Sequence, residues 1–308
     1  MHAIAVMRQP TPSPAWHQPV MVEAVLDMLH PGPGAVIVDG TVGTGGHSLA
    51  LIPRLLPDGT LIAIDRDPEA LKIAGQRITE FQPLVRLERG NYRDLPSFLT
   101  RLGLSRVDGV LLDLGVSSIQ MDRSDRGFSF ASVGPLDMRM DPDHDTTAAA
   151  LVNELPAEEL ARLIETLGEE RFARRIAQRI VQERRTHPLT TTKQLAQVVV
   201  RALPAGARHG RLHAATRTFQ ALRMAVNDEL GALEALLTEL PALLDPGGRA
   251  VILTFHSLED RLVKRAFLEG QSHGVWTVLT KKPLRPSAEE IAGNPRARSV
   301  KLRAVERR

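Results

Sequence analysis

The chain has 308 residues, which is long enough for about two domains of roughly 150 residues each. Hydrophobic residues make up 43% of it and charged residues 24%, an ordinary globular composition that excludes wholesale disorder. No run approaches the roughly 18 uninterrupted apolar residues of a membrane span, and the lack of cysteine excludes disulfides, zinc–thiolate sites, iron–sulfur clusters and thiol catalysis.

The first 18 residues contain no basic region followed by an apolar stretch, as a secretory signal would. We therefore expect a cytoplasmic protein with no membrane partner. The prolines at Pro10, Pro12 and Pro14 predict a loose tail rather than part of a packed domain.

Compact apolar runs alternate with helical stretches in the first part of the chain. The runs 35–39, 60–65 and 109–113 each end in an aspartate, and helical patterns lie around 48–56, 68–81 and 95–102. Apolar strands that alternate with helices predict a parallel sheet covered on both faces.

Strand signals then stop for about 65 residues. Residues 148–154, 157–167, 171–184 and 191–203 have helical patterns, and strand signals return at 249–255, 275–279 and 299–305. We predict an α/β fold with a doubly wound, mostly parallel sheet, interrupted after the fourth strand by an all-helical insertion. Residues 1–140 and 216–308 would form the sheet domain, and 141–215 the insertion, beside the carboxyl edge where such sheets bind ligands.

The net charge of +3 conceals a strong asymmetry along the chain. Residues 1–170 carry a net charge of −10, whereas 171–223 hold twelve basic residues and one acid, Glu183. Such a concentrated basic block is typical of a surface that binds a polyanion, most plausibly nucleic acid. The alternative is a solvated arginine face on an amphipathic helix, which residues 171–185 alone would satisfy.

A glycine-rich turn follows the first predicted strand, in the sequence DGTVGTGGHS at 39–48. Glycines let the chain turn sharply and bring backbone amides against a ligand at a helix amino terminus. Asp65 ends the next strand, where a carboxylate can accept hydrogen bonds from both hydroxyls of a ribose. Together these features predict a nucleoside ligand.

Two adenosine-bearing cofactors fit that pattern, NAD and S-adenosylmethionine. Ser48 stands where the third glycine of the dinucleotide motif would be, which disfavours a pyrophosphate. S-adenosylmethionine has no phosphate, and carboxylates such as Asp39 or Asp113 beside the glycine turn suit its charged methionine end. The phosphate-binding motif of nucleotide hydrolases does not occur.

Several long strings in the chain match one known family. They are residues 39–48, 63–68, 111–118, 126–130, 134–141, 217–223, 226–230, 255–261 and 294–299. With these strings the chain closely resembles the bacterial 16S ribosomal RNA (cytosine-N4)-methyltransferases (RsmH, formerly MraW), from about residue 17 to 306. One departure is the stretch 213–216, which lacks the proline common there in the family.

The resemblance implies a class I methyltransferase fold that uses S-adenosylmethionine to methylate N4 of a decoding-centre cytosine in 16S rRNA, within the small ribosomal subunit. A homodimer stays an open alternative. By motif match, the cofactor-binding residues would lie along the edge of the sheet: Gly45, Gly46 and His47 at the methionine end, Asp65 at the ribose, Tyr92 (often Phe in the family) beside the adenine, and Asp113 and Gln120 completing the pocket.

Asp113 is the candidate catalytic residue. It stands where many amino-methyltransferases carry an Asp/Asn-Pro-Pro-Tyr motif, so it could orient the cytosine amine or contact the cofactor, and we weigh these roles equally. In the string at 135–141, Asp137 could accept from N4 and Arg139 could grip phosphate, but an internal salt bridge between them is an equal alternative.

The remaining substrate candidates are basic residues and one histidine. Arg174, Arg175, Arg179 and Arg217 lie in the basic block, and His256 follows the fifth strand, where it is either a base contact or a satisfied loop residue. Ser257 and Asp260 are expected to form a helix capping box. We predict no metal site, because His30 and His187 have no partner at ligand spacing.

Two functions from other classes compete with the methyltransferase. A non-catalytic RNA-binding factor in ribosome assembly could keep the same fold, but the intact Gly45, Gly46, Asp65 and Asp113 argue against it. A nucleotide-dependent oxidoreductase is disfavoured by the missing third glycine and by the basic block, which a small-molecule enzyme does not need.

Overall fold

The computed structural model describes residues 19–208 and 213–308, so the proline-rich start and Arg211 lie outside the described residues. Within them the chain forms one seven-stranded sheet with the order β3-β2-β1-β4-β5-β7-β6. The strands are β1 Val36–Asp39, β2 Thr60–Asp65, β3 Val85–Arg89, β4 Val107–Asp113, β5 Leu244–Thr254, β6 Trp276–Val278 and β7 Lys301–Arg307.

The helices follow the predicted pattern closely. They are α1 Val22–Leu29, α2 Gly46–Leu55, α3 Pro68–Arg77, α4 Leu95–Arg101, α5 Ser118–Asp122, α6 Ala148–Glu154, α7 Ala157–Gly168, α8 Ala173–Arg184, α9 Thr192–Ala202, α10 Thr216–Asn227, α11 Glu229–Leu243, α12 Ser257–Ser272 and α13 Ala288–Gly293. A further short 3-10 segment, Pro295–Ser299, is called the C-terminal turn below.

The sheet is mostly parallel and doubly wound, as predicted. Strands β1 to β5 pair in parallel, while β7 runs antiparallel between β5 and β6. Successive residues of each strand face opposite sides, so Val38 packs toward α4, α11 and α12, and Ile37 packs toward α1, α2 and α3. Because the parallel strands share a direction, the aspartates at their ends meet at one edge.

Most predicted strand bounds lie within two residues of the structure, and two strands, β3 and β5, differ by more. β3 has no predicted counterpart, because Arg86, Leu87 and Arg89 are exposed and leave this edge strand without an apolar run. β5 begins at Leu244 rather than at residue 249, since Leu244 pairs with Val107 before an irregularity in the ladder.

The inserted helices form a unit with its own core. Its apolar cluster takes in α6 to α9, and it also includes Phe128 and Met140 on one side of the predicted 141–215 insertion and Phe219 and Val226 of α10 on the other. The residues of this cluster are called the helical unit below, and they reach beyond residues 141 and 215. In the residues that the structure covers, no helix is long and apolar enough to cross a membrane.

The capping of α12 corrects one prediction. The residue that caps this helix is His256, whose Nδ1 accepts from the Glu259 amide at 3.4 Å while the Glu259 side chain accepts from the His256 amide at 3.3 Å. Ser257 instead donates to Glu169, and Asp260 pairs with Lys301 and Arg303. The box is one residue earlier because the helix starts at Ser257 itself.

Candidate active site

A cleft of about 1240 Å³ opens at the carboxyl ends of the parallel strands. The loops after β1, β2, β3 and β4 form its floor, and residues of the helical unit and of the C-terminal turn also line it. Among the predicted cofactor residues, Gly46, His47, Asp65, Tyr92, Asp113 and Gln120 line this cleft, and Gly45 is the residue before α2.

The glycine turn after β1 needs its glycines for geometry. Gly43 and Gly45 have φ angles of 52° and 82°, in the left-handed region that side chains disfavour. A Cβ at Gly40 would lie 2.6 Å from Cδ2 of Leu112, so only glycine fits between β1 and β4. α2 begins at Gly46 with no side-chain cap, and its first amides are therefore open to a ligand.

Asp65 lies at the end of β2, facing this turn. Its Oδ2 accepts from the Gly43 amide at 2.8 Å, and its Oδ1 accepts from the Asp67 amide at 2.9 Å. Burial raises the pKa of the carboxyl to about 6, although the two amides oppose that shift. Because each carboxylate oxygen has two lone pairs, both oxygens keep one acceptor position for a further donor.

His47 and Asp113 approach each other across the sheet edge. His47 starts α2 and Asp113 ends β4, and Nε2 of the histidine lies 3.5 Å from Oδ2 of the aspartate. Burial alone would lower the pKa of His47, but the carboxylates of Asp113 and Asp39 outweigh it and the pKa is raised. Both ring nitrogens and Asp113 Oδ1 are buried without a hydrogen-bond partner. Unsatisfied buried polar atoms are rare, and those that line a cleft are candidates for contact with a ligand.

Tyr92 and Gln120 complete this end of the cleft in different ways. Tyr92 is buried, and its hydroxyl donates to the Glu229 carbonyl at 3.4 Å. The amide nitrogen of Gln120 donates to Asp67 at 2.9 Å and its oxygen accepts from Ser117. The amide of Gln120 is thus held by the loops after β2 and β4, and it braces the pocket wall.

Asp137 and Arg139 form the internal salt bridge that the sequence left open as an alternative. Arg139 Nε lies 2.8 Å from Asp137 Oδ1, and the guanidinium also donates to the carbonyls of Pro142 and His144. The Arg139 side chain lowers the pKa of Asp137, against the effect of its partial burial. Neither residue lines the cleft, since both hold the loop that leads into α6.

The basic block does not form one continuous face. Arg174 and Arg175 are exposed on α8, but Arg179 shares Glu183 with Arg201 at 3.3 Å. Arg217 lines the cleft, whereas Arg174, Arg175 and Arg179 do not. Arg223 is mostly buried and makes two hydrogen bonds to Glu229, of 2.7 and 2.8 Å, so its charge is balanced by that carboxylate. The predicted stripe is therefore smaller than the residue count implies.

His256 does not line the cleft, but its Nε2 lies 3.1 Å from Oε1 of Glu259, which does. Burial would raise the pKa of Glu259, but His256 and Arg223 lower it. Ligand atoms of Glu229, His256 and Glu259 lie within 4.8 Å of one another, a cluster that sequence spacing did not reveal. The Arg223 guanidinium already balances the negative charge of Glu229, so this cluster does not need a metal ion to neutralise it.

The sequence did not show which arginines meet at the cleft. Arg171, Arg296 and Arg298 line the cleft with Arg217. The string at 294–299 was visible as a motif, but it lies far along the chain from the basic block, and only the fold brings the two together.

Comparison with known proteins finds one matching family and relatives that are similar along nearly the whole chain. Residues 14–308 match the MraW methylase family. The ribosomal RNA small subunit methyltransferase H of Syntrophotalea carbinolica is 50% identical, over 94% of this chain and 98% of that protein. The protein of the same name from Geobacter sulfurreducens is 49% identical with the same coverage. Among solved structures, a SAM-dependent O-methyltransferase of Thermotoga maritima aligns with a TM-score of 0.42 and 11% identity, over 94% of this chain and 67% of that one.

The mostly parallel seven-stranded sheet, with its ligand cleft at the strand ends, defines a Rossmann-like class I methyltransferase. The match over residues 14–308 and the relatives near 50% identity show the particular family: the chain belongs to the MraW methylases.

Proposed function

We propose that the protein uses S-adenosylmethionine to methylate the exocyclic N4 amine of a decoding-centre cytosine in 16S rRNA, acting in the cytoplasm on the small ribosomal subunit. The observation that carries the proposal is the unsatisfied pair of His47 and Asp113, which lies in a cleft whose rim is lined by arginines. The names of the relatives, which are ribosomal RNA small subunit methyltransferases, support the choice of rRNA.

The hydrogen-bonding groups around the cleft fit S-adenosylmethionine. Asp65 keeps two acceptor positions for the hydroxyls of a ribose, and the open amides of α2 suit the carboxylate of a methionine. Tyr92 offers an aromatic surface beside the purine. The glycine turn contains no lysine to grip a phosphate, which agrees with a cofactor that has none. When bound, S-adenosylmethionine supplies an electrophilic methyl group on sulfonium sulfur.

The chain's own residues must overcome the weak nucleophilicity of a cytosine amine, whose lone pair is delocalised into the ring. We infer that Asp113 Oδ1 accepts a hydrogen bond from the N4 amine and fixes its direction of attack. Such alignment and proton acceptance are common sources of rate acceleration. As the methyl group passes from sulfur to N4, N4 loses one proton, and we assign that proton to Asp113 Oδ1, a buried acceptor without another partner.

The helical unit has a separate task in this proposal. It brings Arg171 and Arg217 to the cleft and exposes Arg174 and Arg175 on α8, where they would contact phosphates of the RNA. Phosphate contacts position a nucleic acid without reading its sequence. Selection of one cytosine therefore depends on the shape of the RNA around the cleft.

The test is transfer of tritium from labelled S-adenosylmethionine to isolated small subunits that lack the modification. We expect label in 16S rRNA, recovered as N4-methylcytidine after digestion and mass spectrometry. Label in another nucleoside would overturn the N4 assignment. RNA binding with no transfer to subunits or to free rRNA would favour the non-catalytic assembly factor.

A further inference from the structure

The C-terminal turn, Pro295–Ser299, shares the cleft with the helical unit although nearly 70 residues separate it from the end of α10. Arg296 and Arg298 line the same cavity as Arg171 and Arg217. None of the contacts described so far gives this segment a task in binding the cofactor or in holding the two carboxylates near β1 and β4.

The turn is built to present its arginines outward. Ala297 is fully buried and anchors the turn, while Arg296 and Arg298 on either side of it are exposed. Asn294 caps the segment, since its Oδ1 accepts from the Arg296 amide at 3.2 Å. Val300, also fully buried, leads directly into β7, so the turn is fixed at both ends.

The two arginines have different environments. Arg296 is tethered to the sheet domain by a 2.6 Å contact with Asp122 at the end of α5. In the part of the chain that the structure describes, no carboxylate oxygen comes within 4 Å of Arg298, Arg171 or Arg217. Arg171 stacks on Phe172, a contact that leaves its charge in place, whereas Arg217 donates to the Glu169 carbonyl and its charge also acts on the Glu169 carboxylate.

Unneutralised cations at the mouth of a concave site attract a polyanion and gain free energy when its counterions are released. We propose that the C-terminal turn is a second RNA-binding element, in which Arg298 contacts a phosphate while Arg296 holds the turn in place. The RNA backbone is then gripped from the helical unit and from the C-terminal turn, with the target base between them in the cleft. This inference rests on the proposed function, because it takes RNA as the polyanion.

The experiment compares Arg298→Ala with Arg265→Ala, a matched control. Arg265 is also an exposed arginine, on α12, but it lies outside the cleft. Binding of a fluorescent single-stranded RNA oligonucleotide is measured over a range of salt concentrations, without any cofactor. Loss of one phosphate contact should reduce the log-affinity against log-salt slope by roughly 0.7, which is about fivefold weaker binding at about 0.1 M salt.

We expect this loss for Arg298→Ala and a wild-type slope for Arg265→Ala. Arg298→Lys should restore the slope, since lysine keeps the charge, and cofactor affinity by calorimetry should be unchanged in all three. A slope for Arg298→Ala equal to that of the control overturns the proposal, as does a wild-type protein with no salt-dependent RNA binding. Circular dichroism and thermal unfolding verify that Arg298→Ala is folded.

Failure of the proposed function looks different. It would appear as absence of methyl transfer from the wild-type protein to 16S rRNA, whatever the oligonucleotide slopes are. Failure of the present inference leaves that transfer intact and changes only the comparison between Arg298→Ala and Arg265→Ala.

Discussion

At the scale of single residues, the contact between His47 and Asp113 is the feature that sequence could not supply. Each residue was a candidate on its own, but they are 66 positions apart and meet only because β1 pairs with β4. Strand order is set by packing of the whole sheet, which no local pattern encodes. Asp65 was predictable, because an acid at the end of a strand after a glycine turn is a local signal.

Asp113→Asn separates the two roles that this carboxylate could have. Asparagine keeps the shape of the side chain and one acceptor oxygen, but it cannot take a proton. We expect the methyl-transfer rate to fall by about 100-fold or more, in line with loss of a proton acceptor. The affinity for S-adenosylmethionine, measured by calorimetry, should change little. A large loss of affinity with an unchanged rate would assign Asp113 to the cofactor instead.

Asp65→Ala should weaken S-adenosylmethionine binding at least tenfold. The variant loses two hydrogen bonds to a charged acceptor, each worth about 1.5–3 kcal/mol. Calorimetry measures the effect, with Asp58→Ala, an exposed aspartate outside the cleft, as the control. An unchanged dissociation constant would contradict the assignment of Asp65 to the ribose.

The raised pKa of Asp65 adds a pH dependence to the same binding step. The carboxylate form accepts two hydroxyl donors, and protonation turns one of its oxygens into a donor. Since the pKa is about 6, affinity should weaken as the pH falls through about 6 and stay level above pH 7. In Asp65→Asn, which cannot titrate, the affinity should be lower and flat over this range. A wild-type curve equally flat would contradict the mechanism.

At the scale of secondary-structure elements, α8 tests whether the helical unit contacts RNA. Removing Arg174, Arg175 and Arg179 together should reduce the slope of log affinity against log salt by roughly 1.4, which is roughly 0.7 for each of two phosphate contacts. Arg179 does not add a third contact, because it is already paired with Glu183. The loss should be alike for unrelated RNA sequences, and cofactor affinity should persist. If the salt titration of the triple variant runs parallel to that of the wild type, the arginines of α8 form a solvated face and do not contact RNA.

Most elements with strong local signals were predicted to within two residues, although α3 ends at Arg77, four residues before its predicted end. The bounds of α6 agree with its predicted range, because Thr147 caps its start and Pro156 follows its end. The edge strand β3 was missed because it has little apolar burial to create a pattern. The charge that the basic block presents to solvent was overestimated, since a sequence shows charged residues but not their partners. Arg223, for example, forms an ion pair with Glu229.

At the scale of the whole molecule, that ion pair joins the two units. Arg223 belongs to α10, whose apolar side lies in the core of the helical unit, and Glu229 begins α11, which packs on the sheet. Arg66 strengthens the junction, because its guanidinium, on the loop after β2, donates to the carbonyl of Asn227 at the end of α10 at 2.8 Å. The cleft lies along this junction, so its shape depends on how the units are held.

Arg223→Ala should destabilise the protein by about 3–5 kcal/mol, the usual cost of leaving one member of a buried ion pair without its partner. Urea unfolding at pH 7 measures the free energy of unfolding. The control is the double substitution Arg223→Met with Glu229→Leu, which removes both charges and fills the same space. We expect the double variant to be much closer to wild type, because well-packed apolar residues often replace a buried pair at little cost.

A double variant as unstable as Arg223→Ala would contradict this expectation. The loss would then come from the packing of the removed side chains and not from an unpaired charge, and the ion pair would contribute no net stability at the junction of the two units.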